Sequence, residues 1–86
     1  MKFSLVIPLA SGRNAEVIDS IKKLDYPKKE YEIIVVEGLN PSENRNKGAK
    51  KSRGNIIAFL DDDAVIDENI LKEAERFFDE YKTSRF

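Results

Sequence analysis

Three consecutive aspartates, Asp61, Asp62 and Asp63, directly follow a short apolar run at residues 56–60. Adjacent carboxylates repel one another, so a fold retains them cheaply only in full solvent or where a cation neutralises them. Clusters of carboxylate oxygens suit hard ions such as Mg²⁺ and Mn²⁺. The alternative is a solvated loop, because aspartate also favours turns and helix N-caps. On these residues alone both interpretations stay open.

A basic segment at residues 44–53 offers a second set of groups that could bind a ligand. Arginine and lysine side chains donate hydrogen bonds to phosphate oxygens, but most such runs are solvated helix faces. Glu37 follows another apolar run, at residues 31–36, and is a candidate acceptor for an N–H or O–H group of a base or sugar. An acid in a loop is more often merely exposed.

Composition narrows the chemistry further. The chain has 86 residues, which allows a single domain over 1–86, and its 16 acidic and 15 basic residues nearly cancel. Balanced charge argues against bulk attraction to nucleic acid or to a membrane. The sequence contains no cysteine and no histidine, which excludes disulfides, thiol nucleophiles and a Ser-His-Asp triad. No apolar stretch reaches the ~18 residues of a membrane-spanning helix, so we expect a cytoplasmic protein.

The apolar pattern predicts three strands, at residues 3–9, 31–36 and 55–60, each apolar enough to be buried on both faces. Helices are predicted at residues 14–24 with Asn14 as the N-cap, weakly at 42–53, and after Asp67. The last helix carries an apolar stripe formed by Ile70, Leu71, Ala74, Phe77, Phe78 and Tyr81.

This alternation predicts an α/β fold: a three-layer, Rossmann-like half domain with a three-stranded parallel sheet in the order 2-1-3 and flanking helices. Ligands of such sheets bind outside the carboxyl ends of the strands. Pro8, Leu9, Glu37 and the aspartates should therefore meet along one edge of the sheet. The loop at residues 9–13 matches neither the dinucleotide-binding nor the P-loop glycine pattern. A phospho-acceptor signalling domain is disfavoured because the first strand ends without acids.

Four segments in order resemble the amino-terminal half of family 2 glycosyltransferases, which are inverting nucleotide-sugar enzymes with a GT-A fold. The segments are SLVIP at residues 4–8, YP at 26–27 followed by YEIIVVE at 31–37, NRNKG at 44–48, and GNIIAFLDDD at 54–63. Each is common alone, whereas the ordered set is fairly specific.

The resemblance implies a divalent metal, Mg²⁺ or Mn²⁺, at an Asp-x-Asp (DXD) motif. Asp63 is the implied metal ligand, and Asp61 supports the metal or contacts the ribose. Asp62 takes the role of Asp61 if the motif is read one residue later. The residues that the resemblance places at the nucleotide are Pro8, Leu9, Ala10, Glu37, Arg45, Asn46, Asp61 and Asp62.

The chain also departs from the family pattern. One acid, Glu37, follows the second strand where the family usually has two, and residues 38–44 replace a further helix and strand. The acceptor-binding half and its general base have no counterpart here, so the catalytic residue is unknown. We therefore expect a truncated glycosyltransferase domain that binds a nucleotide-diphosphate sugar, with a UDP-sugar as the leading candidate. The alternative is a non-catalytic nucleotide-binding or assembly module. Unpaired edge strands also predict a homo-oligomer, a dimer in the simplest case.

Overall fold

The most continuous apolar segment of the chain forms the central strand of the sheet, β1 at Phe3–Leu9. The computed structural model describes residues 1–81, and within that range β1 lies between two parallel neighbours, β2 at Tyr31–Glu37 and β3 at Ile56–Phe59. Because β1 has a strand on each side and helices on both faces, it is shielded from solvent. Its residues Val6 and Ile7 have no exposed surface. The predicted α/β fold and strand order 2-1-3 are confirmed.

The register of the sheet brings the strand ends together. Leu9 lies opposite Glu37 on β2, and Val6 lies opposite Phe59, the last residue of β3. Asp61 follows Phe59 by two residues, so the aspartates emerge beside the end of β1. The edge at which the sequence predicted a ligand site is therefore formed by the loops that follow all three strands.

Two helices cover one face of the sheet. Helix α1 is Val17–Ile21 and helix α3 is Ile70–Tyr81. Their apolar side chains pack on alternate residues of β1, and the resulting core contains Phe3, Leu5, Ile7, Val17, Ile21, Leu24 and Leu71. A short 3₁₀ turn at Lys28–Glu30 leads from this layer into β2.

Helix α1 is shorter than the predicted 14–24, and Asn14 does not cap it. The helix begins after Glu16, whose side chain makes no capping hydrogen bond. Instead the backbone N–H of Val17 donates to the carbonyl of Asp62 at 2.9 Å. A tertiary contact with the aspartate loop thus satisfies one of the donors that a local cap would otherwise satisfy.

Helix α2, at Pro41–Lys51, packs on the opposite face against β1 and β2. Asn40 caps it, since its side-chain oxygen accepts from the backbone N–H groups of Ser42 at 3.0 Å and Glu43 at 3.2 Å. Pro41 occupies the first turn, where its missing N–H costs nothing. The helix predicted at residues 42–53 therefore starts one residue too late and ends two residues too late.

Helix α2 lacks an apolar stripe because it approaches the sheet through glycine. A methyl group added at Gly48 would lie 2.3 Å from Cγ1 of Val6. The backbone of the helix therefore rests directly on the central strand. This contact explains why apolar periodicity signalled α2 only weakly.

The stripe predicted on α3 is only partly buried. Leu71 is buried, whereas Phe77 and Phe78 are exposed by 54% and 45%. Tyr81 was also predicted to belong to the stripe, and its side chain lies outside the part of the chain that the structure describes. Asp67 accepts from the backbone N–H of Asn69 at 2.8 Å, before the helix begins at Ile70.

Both edge strands leave apolar side chains exposed. These are Ile33 and Val35 on β2 and Ile57 and Phe59 on β3. The homo-oligomer expected from such edges stays a prediction. Over residues 1–81, none of the helices has the length and apolarity needed to cross a membrane.

Candidate functional site

A cavity of about 300 Å³ opens at the carboxyl ends of the strands. Its walls come from the loop after each strand and from the first turns of α2. The lining residues are Pro8, Ala10, Arg13, Gly38, Leu39, Pro41, Asn44, Arg45, Asp61, Asp62 and Asp63.

The three aspartates of the β3 loop have different surroundings. Arg13 binds Asp62 through both carboxylate oxygens, with Nε 2.9 Å from Oδ2 and Nη2 3.3 Å from Oδ1. The side chain of Asp62 keeps 13% of its surface exposed. Asp61 and Asp63 are exposed, and within residues 1–81 neither makes a side-chain hydrogen bond or an ion pair. The middle carboxylate is therefore occupied, and the outer two are available.

The β1 loop holds Arg13 in place through a tight turn. The backbone N–H of Arg13 donates to the carbonyl of Ala10 at 3.1 Å, and Gly12, at the third position, has φ +84°. A positive φ at this position is typical of a type II turn and explains the glycine. The N–H of Gly12 donates to Oε2 of Glu37 at 3.4 Å. Glu37 thus supports this loop from the end of β2 and does not line the cavity.

Helix α2 contributes Asn44 and Arg45 to the cavity. Asn44 is 3% exposed, and its Nδ2 donates to the carbonyl of Gly38 at 3.1 Å, which ties the start of α2 to the loop after β2. A methyl group at Gly38 would lie 2.5 Å from Oδ1 of Asn44, so a larger residue there would displace the Asn44 side chain. Arg45 is exposed and makes no ion pair with another described residue. It can therefore donate to an anionic ligand.

The structure brings together six of the nine predicted site residues. Pro8, Ala10, Arg45, Asp61, Asp62 and Asp63 all line the cavity. Leu9 is buried instead, because successive strand residues point to opposite faces. Asn46 is exposed but lies outside the lining.

Sequence reasoning missed five lining residues: Arg13, Gly38, Leu39, Pro41 and Asn44. The Asn40-Pro41 pair carried a usable signal, because a capping residue followed by proline marks a helix start at the site. Arg13 had no such signal, since its partner Asp62 lies 49 residues away in the sequence.

The donor set at the β3 loop fits a cation that is shared with a ligand. Across the described part of the chain, no three His, Cys, Asp or Glu side chains are grouped so as to hold a metal by themselves. Magnesium-type ions commonly take one or two protein carboxylates and complete their shell with water and substrate phosphates. Asp61 and Asp63 match that chemistry, and their role as metal ligands stays a prediction.

Comparison with known proteins identifies the family of this chain. Residues 36–84 match the sequence pattern of the family described as Glycosyl transferase family 2. The chain is 27% identical to the poly(ribitol-phosphate) beta-N-acetylglucosaminyltransferase TarS of Staphylococcus aureus, in strains Mu50 and MW2. That alignment covers 94% of this chain and 19% of TarS, so the chain spans about a fifth of its relative.

Solved structures of S. aureus TarS have the same fold. The crystal structure of TarS superposes with a TM-score of 0.85 at 28% identity, covering 95% of this chain and 20% of that chain. A TarS 1–349 structure in complex with UDP-GlcNAc gives a TM-score of 0.82 at 27% identity, covering 95% and 32%. Since the family pattern spans more than half of the chain, this protein belongs to glycosyl transferase family 2.

Proposed function

We propose that this chain binds a nucleotide-diphosphate sugar, with UDP-sugars as the leading candidates, and forms the donor side of an inverting glycosyl transfer. The observation that carries the proposal is the meeting of Arg45, the β1 loop and the aspartate loop around one cavity. Family membership supports it, and so do the TarS 1–349 structures in complex with UDP-GlcNAc and with UDP.

The nucleoside end of the ligand would lie against the less charged wall. Pro8, Ala10 and Leu39 provide apolar surface there, and Leu39 is 91% exposed. Small-ligand sites commonly combine such apolar surface with a few polar groups that fix orientation. The cavity volume of about 300 Å³ lies at the lower end of the range for such sites, as expected of a cleft that is open on one side.

The diphosphate end would lie between Arg45 and the aspartate loop. The guanidinium of Arg45 can donate two parallel hydrogen bonds to phosphate oxygens. Asp61 and Asp63 would hold Mg²⁺ or Mn²⁺ against the same phosphates, in the manner of an Asp-x-Asp motif. When bound, the ion supplies Lewis-acid stabilisation of the charge that develops on the leaving nucleotide.

A second candidate is a nucleotide-binding module that does not itself transfer sugar. The acidic residues of the cavity favour this candidate. Among the described residues, the acids that line the cavity are the three aspartates of the β3 loop. Asp61 and Asp63 would hold the metal and Asp62 is paired with Arg13, which leaves no lining carboxylate to deprotonate an acceptor hydroxyl. Acceptor activation would then depend on groups outside this cavity.

Calorimetric titration of UDP into the chain, with and without Mn²⁺, tests the binding proposal. We expect binding that requires Mn²⁺, that weakens by about 100-fold in Asp63→Asn and that is retained in Glu73→Gln. The second variant is the matched control, because it also removes one exposed negative charge but lies on α3, outside the cavity. Absence of UDP binding in both conditions would overturn the proposal, and equal binding in both would overturn the role of the metal.

The two candidates separate in a second assay. UDP-GlcNAc is incubated with the chain, Mn²⁺ and candidate polyol-phosphate or sugar acceptors, and release of UDP is measured. Turnover that disappears in Asp63→Asn favours the transferase. Tight, metal-dependent binding with no turnover favours the module.

A further inference from the structure

We propose that Arg13 is a positioning residue of this site. By pairing with Asp62, it engages the middle carboxylate and leaves the carboxylates of Asp61 and Asp63 unpaired by any described residue at the cavity. The inference rests on the proposed function and settles which two aspartates of the triplet act on the ligand.

The geometry of the pair carries the first step. Nη2 of Arg13 donates to Oδ1 of Asp62 at 3.3 Å and Nε lies 2.9 Å from Oδ2, so the guanidinium faces both carboxylate oxygens as in the bidentate pairs that arginine forms. Asp62 is also the least exposed of the three, whereas the outer aspartates are exposed. A direct role for Asp62 in binding a cation would require its ion pair with Arg13 to break, while Asp61 and Asp63 need no such change.

Backbone contacts fix both members of the pair. The carbonyl of Asp62 accepts from Val17 at the start of α1, and Arg13 closes its turn on Ala10. Gly12, beside Arg13, donates to Glu37 at the end of β2. One series of contacts therefore links the loops after all three strands, and Arg13 is the member whose side chain binds an aspartate carboxylate.

Charge supports the same division of roles. Three adjacent carboxylates carry three negative charges, and Arg13 neutralises one of them. The remaining two match a divalent ion. Arg45, which makes no ion pair within residues 1–81, is then the lining arginine that remains for the phosphates. Arg13 and Arg45 thus line one cavity with different functions.

The test combines Arg13→Gln, Arg13→Lys, Asp62→Ala and the double variant Arg13→Gln/Asp62→Ala. UDP affinity is measured by calorimetry at saturating Mn²⁺ and without metal, and bound Mn²⁺ is followed by electron paramagnetic resonance with UDP present. Circular dichroism establishes that each variant is folded. Residues that orient a metal ligand typically contribute about 10- to 100-fold to metal affinity.

We expect Arg13→Gln and Asp62→Ala each to weaken metal-dependent UDP binding by about tenfold or more. Any binding that persists without metal should be unchanged. The double variant should bind UDP no more weakly than either single variant, because the two residues act as one unit. Arg13→Lys should be intermediate, since an ammonium keeps the charge but cannot form the planar, two-pronged contact.

Three results would overturn the positioning role while leaving the proposed function intact. Unchanged UDP binding in Arg13→Gln is the first, and additive losses in the double variant are the second. The third is tighter binding in Asp62→Ala, which would mean that the released Arg13 contacts phosphate directly. Failure of the unmodified chain to bind UDP under either condition would instead overturn the proposed function, and the positioning role with it.

Discussion

Charged groups at the two ends of the sheet differ in whether they have hydrogen-bond partners within the protein. At the amino ends of the strands, Glu32 accepts a hydrogen bond from the buried hydroxyl of Ser4 at 2.5 Å and another from the backbone N–H of Arg53 at 2.7 Å. The hydroxyl of Ser4 in turn accepts from the N–H of Gly54 at 2.8 Å. These hydrogen bonds, led by the one from Ser4, lower the pKa of Glu32.

At the carboxyl ends, charged groups are left available. Asp61, Asp63 and Arg45 line a cavity, and none of them pairs with another described residue. A charged group whose hydrogen bonds are satisfied within the protein contributes to the stability of the fold. A charged group without a partner in the protein contributes little to stability and is available to a ligand. Substitutions at the amino ends should therefore change the free energy of unfolding, and substitutions at the carboxyl ends should change binding.

The largest effect is expected from Gly54→Ala. The added methyl group would lie 2.5 Å from the backbone carbon of Phe3 and 2.6 Å from the backbone nitrogen of Ser4. Backbone atoms of a central strand cannot move aside, so we expect a loss of about 3 kcal/mol in the free energy of unfolding, measured by urea denaturation.

Gly48→Ala is the matched control for Gly54→Ala. Its methyl group would meet the side chain of Val6 rather than backbone, and alanine is about 1 kcal/mol better than glycine within a helix. The loss should therefore be smaller than for Gly54→Ala. Equal losses in the free energy of unfolding would show that the contact of Gly54 with β1 is no more constrained than the contact of Gly48 with β1.

The next effect in size is expected at the opposite end, from Asp63→Asn. Metal-dependent UDP affinity should fall by about 100-fold, which corresponds to about 2.7 kcal/mol. The free energy of unfolding should stay within about 0.5 kcal/mol of the unmodified chain, as for a surface substitution. A destabilised variant with intact UDP binding would contradict the contrast between the two ends.

Glu32→Gln should have a smaller effect that depends on pH. Because folding lowers the pKa of Glu32, its contribution to stability is present above its ordinary pKa of 4.5 and is lost as the pH falls through the lower pKa of the folded state. At pH 7 we expect a loss of about 1 kcal/mol in the free energy of unfolding.

The difference between the unmodified chain and Glu32→Gln should shrink in urea titrations below about pH 4.5. Glu73→Gln, on the exposed surface of α3, provides the comparison for loss of one charge. If the difference were the same at acidic and neutral pH, the hydrogen bonds to the carboxylate would not be its cause.

The smallest effect is expected from Tyr26→Phe, which removes the hydrogen bond from the tyrosine hydroxyl to Oε2 of Glu75 at 2.6 Å. The ring contact with Phe3, at 5.5 Å between centroids, is retained, so the loss should be below about 1 kcal/mol. Burial, followed by the contact with Glu75, raises the pKa of Tyr26. The contribution of the hydroxyl should therefore be complete below its ordinary pKa of 10.0 and decline as the pH rises through the value in the folded state.

Much of the fold could be predicted from local pattern. The apolar runs identified all three strands to within one residue at each end, and their alternation with helices led to the order 2-1-3. Helix α2 was weakly predicted because Gly48 replaces an apolar stripe with close backbone contact. The start of helix α1 was predicted too early, because a hydrogen bond from Val17 to Asp62, a partner that is remote in the sequence, replaces a local cap.

Apolar runs and short ordered motifs were enough to predict the parallel sheet and the family. The edge at which a ligand would bind stays a prediction. The tertiary structure alone decided which polar residues share the cavity. In the structure, Leu9 is buried, Glu37 accepts a hydrogen bond from the β1 loop, and Arg13 pairs with Asp62. The physical reason is that hydrogen bonds and ion pairs depend on distances of about 3 Å. Folding creates those distances between residues that are far apart in the chain.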